Sequence, residues 1–103
     1  MEGTELIAFK IIAAAGTARS CYISAIQEAK AANWEKVSPL LQQGDTAFNQ
    51  AHEAHASLLT EAANETISLD LLLVHTEDQL MSAENFKILA NEFTDLYRII
   101  HEK

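Results

Sequence analysis

The sequence predicts an all-α fold, an antiparallel three-helix bundle, on two observations. The 103 residues include 3 Gly and 1 Pro, too few for the turns that a sheet protein of this size needs. Apolar residues recur at three- and four-residue spacing through three long segments, about residues 4–32, 34–63 and 69–102. A chain of this length forms a single domain, residues 1–103, with a modest core.

The first predicted helix spans residues 4–32, and Thr4 is its candidate N-cap. Its apolar stripe comprises Ile7, Ile11, Ala14, Ala15, Ala18, Tyr22, Ala25, Ile26 and Ala29. Gly16 at mid-helix costs about 1 kcal/mol relative to Ala, so either a close helix approach offsets this cost or the helix tolerates it. Cys21 is the single cysteine, which excludes an internal disulfide. We interpret it as a small buried apolar residue rather than a nucleophile.

The second predicted helix spans residues 34–63 and contains the single proline. Ser38 followed by Pro39 is typical of an N-cap and a first-turn proline, so the helix is expected to start, or restart, at Ser38. Its apolar stripe comprises Val37, Leu40, Leu41, Ala47, Phe48, Ala51, Ala54, His55, Leu58 and Leu59. A short polar linker, residues 64–68, follows it.

The third predicted helix spans residues 69–102, with Ser68 as a candidate cap and Asp70 in the first turn. Its stripe has coiled-coil spacing and comprises Leu69, Leu73, Thr76, Leu80, Ala83, Phe86, Leu89, Phe93, Leu96 and Ile100. Since both links are short, the three helices should pack up-down-up.

The first half of helix 3 also has a second apolar face, centred on Asp78. At about 100° per residue, Leu73 and Leu80 lie nearly opposite Asp78. The residues within about 60° of it are Leu71, Val74, Met81 and Asn85. A three-helix bundle has no further helix to cover this face, so we expect the chain to self-associate.

Self-association would bring copies of Asp78 together on a symmetry axis. Carboxylates held close together in a dry place need shared protons or a cation, and a hard cation such as Mg²⁺ or Ca²⁺ takes oxygen ligands. The alternatives are that Asp78 pairs with a Lys or Arg, or is exposed.

The chain has four histidines. His75 lies at the rim of the association face and is either a nucleophile near neutral pH or a structural histidine. His52 and His55 are three residues apart, a spacing that permits one metal ion but is a weak signal, and we interpret them as packing residues. His101 lies near a frayed C-terminus, where a cationic ring favours the helix dipole.

Composition excludes several classes of function. The net charge of −8 and the scattered Lys and Arg disfavour nucleic acid as a partner. The sequence contains no run of about eighteen apolar residues, so it predicts no transmembrane span. Glu2 and Glu5 argue against a signal peptide. We therefore expect a cytoplasmic protein. The chain lacks a Gly-rich phosphate loop and is too short for a deep cleft. These features favour a protein that reacts with other proteins.

One segment resembles a known family: Leu71-Leu72-Leu73-Val74-His75-Thr76-Glu77-Asp78-Gln79-Leu80-Met81. It is similar to the active-site segment of the lactose/cellobiose-specific enzyme IIA components of the bacterial phosphoenolpyruvate-dependent sugar phosphotransferase system. Two weaker similarities extend the resemblance to helices 1 and 2, namely Gly16-Thr17-Ala18-Arg19-Ser20 and Ala51-His52.

The resemblance implies a phosphoryl carrier. His75 would be the phosphoacceptor, expected as a tele-phosphohistidine, and would take its phosphoryl group from HPr and pass it to a cysteine of enzyme IIB. The membrane component IIC would then phosphorylate a β-linked disaccharide during uptake, with the sugar unspecified. The family is a homotrimer, so Asp78 of each subunit would bind Mg²⁺, or another hard divalent cation, on the trimer axis.

Two neighbours of His75 depart from the family's usual His-Ala-Gln-Asp-His-Leu-Met. Glu77 replaces the Gln, and Gln79 replaces the second His. A glutamate beside an incoming dianionic phosphoryl group repels it, unless the side chain points away or is protonated. Two alternatives therefore stay open: a non-catalytic trimeric interaction or regulatory module of the same fold, and a plain helical scaffold with a structural His75.

Overall fold

The computed structural model describes residues 3–64 and 70–103, and the side chains of residues 3–61 and 70–103. It contains three helices: α1 (Gly3–Lys30), α2 (Trp34–Asn64) and α3 (Leu71–His101). No strand occurs in these residues, so the all-α prediction is confirmed. The helices run alongside one another in a rod of 57 × 18 × 17 Å.

Helix α1 is the centre of the bundle. It packs along both other helices, whereas α2 and α3 contact each other over a much smaller area. Seven α1 residues are buried, and five of them are alanines: Ala8, Ile11, Ala15, Ala18, Tyr22, Ala25 and Ala29. These small residues let the neighbouring helix backbones approach closely. The predicted stripe of helix 1 is therefore confirmed, with Ala8 added to it.

Tyr22 is the largest fully buried side chain, and it fixes the register of α1 against α2. Its hydroxyl donates a hydrogen bond to Oδ1 of Asp45 at 2.6 Å. Its ring lies against Gly44, where an added Cβ would be 2.6 Å from the ring atom Cε1. Burial, and then the hydrogen bond and charge of Asp45, raise the pKa of Tyr22 well above its ordinary value.

A Schellman motif ends α1. The Asn33 N–H donates to the Glu28 carbonyl at 2.9 Å, and the Ala32 N–H donates to the Ala29 carbonyl at 3.0 Å. This turn places Ala32 at φ 62°, the left-handed region, which costs a residue with a Cβ about 1–2 kcal/mol. The turn that joins α1 to α2 therefore carries local strain.

His101 fastens the end of α3 to this turn. Its Nε2 lies 3.1 Å from the Ala29 carbonyl and 3.2 Å from the Lys30 carbonyl. Since carbonyls only accept, this nitrogen carries the hydrogen. The ring also packs edge-on against Trp34, and the guanidinium of Arg98 lies 4.4 Å from the Trp34 ring centre. These contacts hold His101, which the sequence placed near a frayed C-terminus, against the last turn of α1.

The start of helix 2 at residue 34 is confirmed. The predicted N-cap Thr4, the predicted start or restart at Ser38 and the predicted first-turn place of Asp70 are wrong. Helix α1 begins at Gly3, so Thr4 lies inside it. Helix α2 begins at Trp34 and continues through Pro39, so no start or restart occurs at Ser38. The N–H that Pro39 lacks would have bonded the carbonyl of Glu35 in the first turn, so the helix loses one bond near its end. Asp70 is the N-cap of α3 and not a first-turn residue. Ser68 and Leu69 lie outside the described residues.

The core face of α3 keeps one helical phase along its whole length. Thr76, Leu80, Ala83, Ala90 and Thr94 are buried at the repeat expected for one face of a helix. After Ala83, the predicted stripe was assigned to the large apolar residues, which lie on a different side of the helix from the buried Ala90 and Thr94. The structure exposes four residues that this stripe placed inside: Leu89, Phe93, Leu96 and Ile100. On α2, Leu59 is likewise exposed, whereas Val37, Ala47, Ala51 and Leu58 are buried as predicted.

By length and composition alone, α1 is long and apolar enough to cross a membrane. The sequence criterion of an unbroken apolar run missed this helix, because polar residues such as Arg19 interrupt it. Since α1 packs against both other helices, we interpret its apolar character as that of a core helix.

Two glycine-to-alanine variants should change stability in opposite directions. Gly44→Ala places a methyl group against the buried Tyr22 ring, so the free energy of unfolding should fall by about 1–3 kcal/mol despite the better helix propensity. Gly16→Ala meets no atom within 4 Å, so it should gain about 1 kcal/mol. Urea unfolding followed by circular dichroism measures both. A stabilised Gly44→Ala variant would show that Tyr22 does not fix the register.

Candidate functional site

The first turns of α3 carry the predicted site residues, and a capped start holds them. The Asp70 carboxylate accepts the Leu73 N–H at 2.9 Å, and the Asp70 carbonyl accepts the Val74 N–H at 3.1 Å. Thr76 is fully buried, and its hydroxyl donates to the Leu72 carbonyl at 2.7 Å. Burial of Thr76 on the core side turns the residues next to it in sequence, His75 and Glu77, away from the core.

His75 is exposed on α3, as its predicted position at the rim of the outer face requires. Within the described part of the chain, its ring takes part in no hydrogen bond. An imidazole that no other protein group engages can present a ring nitrogen lone pair to a reacting partner.

Asp78 lies at the centre of an outer apolar face, as predicted. Leu71 and Met81 on this face are 84% and 57% exposed, and Val74 is also exposed. Asp78 forms neither of the ion pairs found among the described residues, and its side chain is exposed in the single chain, which is the other alternative that the sequence left open.

A metal site cannot be completed by the described residues of one chain. They contain no cluster of three or more His, Cys, Asp or Glu side chains that could hold an ion. His52 and His55 take separate partners: the His52 ring stacks on Phe48 at 6.4 Å between centroids, and His55 turns toward α3. Interpretation of these two histidines as packing residues fits His52, whereas His55 has a more specific contact.

Arg19 links α1 to the site. Its Nη1 donates to Oε1 of Gln79 at 2.9 Å and to Oγ of Ser82 at 3.3 Å. Gln79 follows His75 by four residues, so the two side chains lie one above the other on the helix surface. Arg19 therefore brings a positive charge to the turn that follows His75.

His55 links α2 to the site. Its Nε2 lies 2.7 Å from Oε1 of Glu77, and the two side chains are 20% and 48% exposed. Residues two apart on a helix do not face each other, so Glu77 leaves the helix surface in a different direction from His75. The Glu77 carboxylate points toward α2 in this structure.

A shallow groove of about 560 Å³ lies on the opposite side of the bundle, between α1 and α2. Uncharged side chains line it: Thr17, Cys21, Pro39, Gln42, Gln43, Thr46, Ala47 and Gln50. Cys21 is half-buried here rather than buried as predicted. Because all of these residues belong to α1 and α2, the groove is separate from the segment that carries His75.

A family model for the lactose/cellobiose-specific IIA subunit of the phosphotransferase system matches residues 6–98. The chain belongs to this family. The lactose-specific EIIA component of Staphylococcus aureus strain N315 is 33% identical over 98 residues, 94% of this chain and 95% of that protein. The corresponding component of Streptococcus mutans is 35% identical over 98 residues, 94% of each chain.

The crystal structure of a cellobiose-specific enzyme IIA from Bacillus anthracis has the same fold. It superposes with a TM-score of 0.93 at 36% identity, covering 100% of this chain and 95% of that one. This IIA subunit is thus a component of a sugar phosphotransferase system, and the predicted family is confirmed.

Sequence reasoning found the His75 segment of this IIA subunit but not the residues that contact it. Arg19 stood in a recognised signature without an assigned role, and His55 stood among the apolar residues of helix 2. Neither contact follows from sequence spacing, because each joins residues of different helices whose register only the packing determines. Both unusual residues, Glu77 and Gln79, turn out to be hydrogen-bonded to them.

The cap of α3 can be tested directly. Asp70→Ala removes the acceptor for the Leu73 N–H and should lower the free energy of unfolding by about 1 kcal/mol. Asp70→Asn keeps a good N-cap and should retain most of that stability. Urea unfolding and hydrogen exchange at the Leu73 amide measure the effect. Equal stability of the Ala variant and the wild type would show that Asp70 does not hold the first turn.

Proposed function

We propose that the chain is the phosphoryl-carrying IIA component of a sugar phosphotransferase system, with His75 as the phosphoacceptor. The observation that carries the proposal is the exposed position of His75 on a capped helix, next to a side chain that Arg19 holds. Family membership supplies the phosphotransferase role in general.

For phosphoryl transfer, the protein mainly has to align the reacting groups and place positive charge near the phosphoryl oxygens. A neutral imidazole attacks phosphorus with a ring-nitrogen lone pair, and the bond between phosphorus and the donor breaks as the new bond to His75 forms. Catalysis of phosphoryl transfer depends mainly on alignment and on stabilisation of the phosphoryl oxygens. The guanidinium of Arg19 on α1 is hydrogen-bonded to Gln79, one turn after His75 on α3, and supplies positive charge near that position.

The proposed donor is HPr and the proposed acceptor is a cysteine of enzyme IIB, in the cytoplasm, with IIC acting on the sugar in the membrane. Relatives are named for lactose and oligo-β-mannoside, and a structural neighbour for cellobiose. These names support a β-linked disaccharide as the sugar taken up. The contacts of Glu77 with His55 and of Gln79 with Arg19 favour the carrier over a non-catalytic module, since neither unusual residue is left free to block His75.

We further propose that the working form is a homotrimer built on the outer face of α3. The helix exposes nine large apolar side chains: Leu71, Val74, Met81, Ile88, Leu89, Phe93, Leu96, Ile99 and Ile100. Asp78 and Asn85 recur seven residues apart within this surface, and polar residues at such positions are known to specify oligomeric state in coiled coils. Association of copies is the economical way to cover so much apolar area.

Asp78 suits a hard divalent cation such as Mg²⁺ by its donor chemistry. It is an exposed carboxylate on an apolar face, and one chain supplies one such ligand. Three copies would therefore hold the ion, which would neutralise their charges when bound. Its role in this proposal is structural, and the phosphoryl transfer at His75 does not depend on it.

Phosphorylation by enzyme I, HPr and phosphoenolpyruvate tests the carrier role. The wild-type protein should acquire one acid-labile phosphoryl group per chain, and His75→Ala should acquire none, because the nucleophile is gone. Intact-mass spectrometry at neutral and acidic pH measures both. His52→Ala, with its ring on a different helix, is the matched control and should label normally. A wild-type protein that stays unlabelled with HPr of its own species would refute the proposal.

Assembly through Asp78 has its own test. Asp78→Asn and Asp78→Leu should still form trimers, and should do so without a divalent cation, because replacing buried charges by neutral or apolar groups is often neutral or stabilising. Sedimentation equilibrium with and without a chelator measures the mass of the wild type and both variants. A monomeric Asp78→Leu protein with intact helices would contradict the axial cluster.

A further inference from the structure

The contact between His55 and Glu77 joins α2 to α3 beside the proposed phosphoacceptor. The atoms Nε2 and Oε1 are 2.7 Å apart, which is short for a nitrogen–oxygen hydrogen bond. An ionised carboxylate only accepts hydrogen bonds, so Nε2 of His55 must carry the hydrogen. The imidazole therefore donates to Glu77 whether it is neutral or protonated.

We propose that His55 is a positioning residue for phosphoryl transfer at His75, because it holds the Glu77 carboxylate on the α2 side of α3. This inference rests on the proposed carrier function of His75. Glu77 is two residues from His75, and its side chain has three rotatable bonds. Helix geometry directs Glu77 away from α3 on a different side from His75. The contact with His55 holds the carboxylate out toward α2, whereas an unpaired carboxylate would sample every rotamer that this backbone position allows.

The contact of His55 with Glu77 is important because Glu77 and the phosphoryl group on His75 are both negatively charged. The phosphoryl group on His75 is a dianion, and at 0.1 M salt charges act over a screening length of about 10 Å, which is long compared with the rise of about 3 Å between residues two apart on a helix. A free Glu77 would oppose arrival of the negative charge, whereas a paired Glu77 is both partly neutralised and turned aside. His55 thus makes an acidic residue compatible with the site.

A purely structural role for the pair is the competing explanation. Helices α2 and α3 share little contact, so the hydrogen bond could act only by holding them together. The two roles differ in what happens when Glu77 also changes. A packing role is lost with either partner, but a positioning role is needed only while the carboxylate is present.

A double-mutant cycle separates the two roles. The variants are His55→Ala, Glu77→Gln and the chain with both changes, and His52→Ala is the matched control on the same helix. The single-turnover rate at saturating phospho-HPr is measured for each, together with urea unfolding. Loss of His55 alone should slow phosphorylation about two- to fivefold, the range expected for one exposed charge interaction.

Rescue is the decisive result. Glu77→Gln should restore the wild-type rate in the His55→Ala chain, and alone it should be as fast as the wild type or faster. His55→Gln keeps a side-chain N–H donor and should retain most of the rate, which covers the case in which His55→Ala does not fold. The loss in His55→Ala should also shrink at 1 M salt, where the screening length is about 3 Å.

Two results would overturn the inference while leaving the carrier function intact. One is a wild-type rate in His55→Ala, and the other is an equally slow rate in the chain with both changes. An unlabelled wild-type protein would instead refute the carrier function and the inference with it, and this outcome is recognised before any variant is made.

Discussion

Close packing of α1 between its two neighbours decides which side of α3 faces outward. The buried face of α1 consists mainly of alanines, and α3 packs against it through a core face that includes Thr76, Leu80 and the small residues Ala83 and Ala90. When these residues face inward, the helical repeat places His75 and Asp78 on the outer side of α3. The position of the site is thus a consequence of core packing rather than of any local motif.

The sequence predicted the core correctly in segments where small and large apolar residues lie on the same face of a helix. On α1 and on the first half of α3 the predicted core is the observed core. The prediction failed after Ala83, where large residues such as Phe93 and Leu96 lie outside and the small Ala90 and Thr94 lie inside. Side-chain size is a poor guide to burial when two helices approach closely, because the closest contacts need the smallest residues.

The candidate site also contains residues that the sequence predicted and residues that it did not. Helical spacing predicted where His75 and Asp78 lie on the outer side of α3, since both lie on one helix, and only the family resemblance assigned a role to His75. The partners Arg19 and His55 could not be located in this way, because each reaches the site across a helix interface whose register depends on contacts such as that of Tyr22 with Gly44. Glu77 and Gln79 distinguish this chain from the usual family pattern, and their hydrogen bonds to His55 and Arg19 could not be predicted from the sequence of α3 alone.

The central position of α1 has a consequence for biosynthesis. This helix is made first, and by composition it could pass for a membrane segment. The end of α3, which covers one of its faces, is made about 70 residues later, an interval of roughly 4–14 s at ordinary rates of translation. During that interval the apolar face of α1 is open to any cellular factor that binds nascent apolar helices. Early pairing with α2, which follows after the short turn at Ala32, would shorten that exposure.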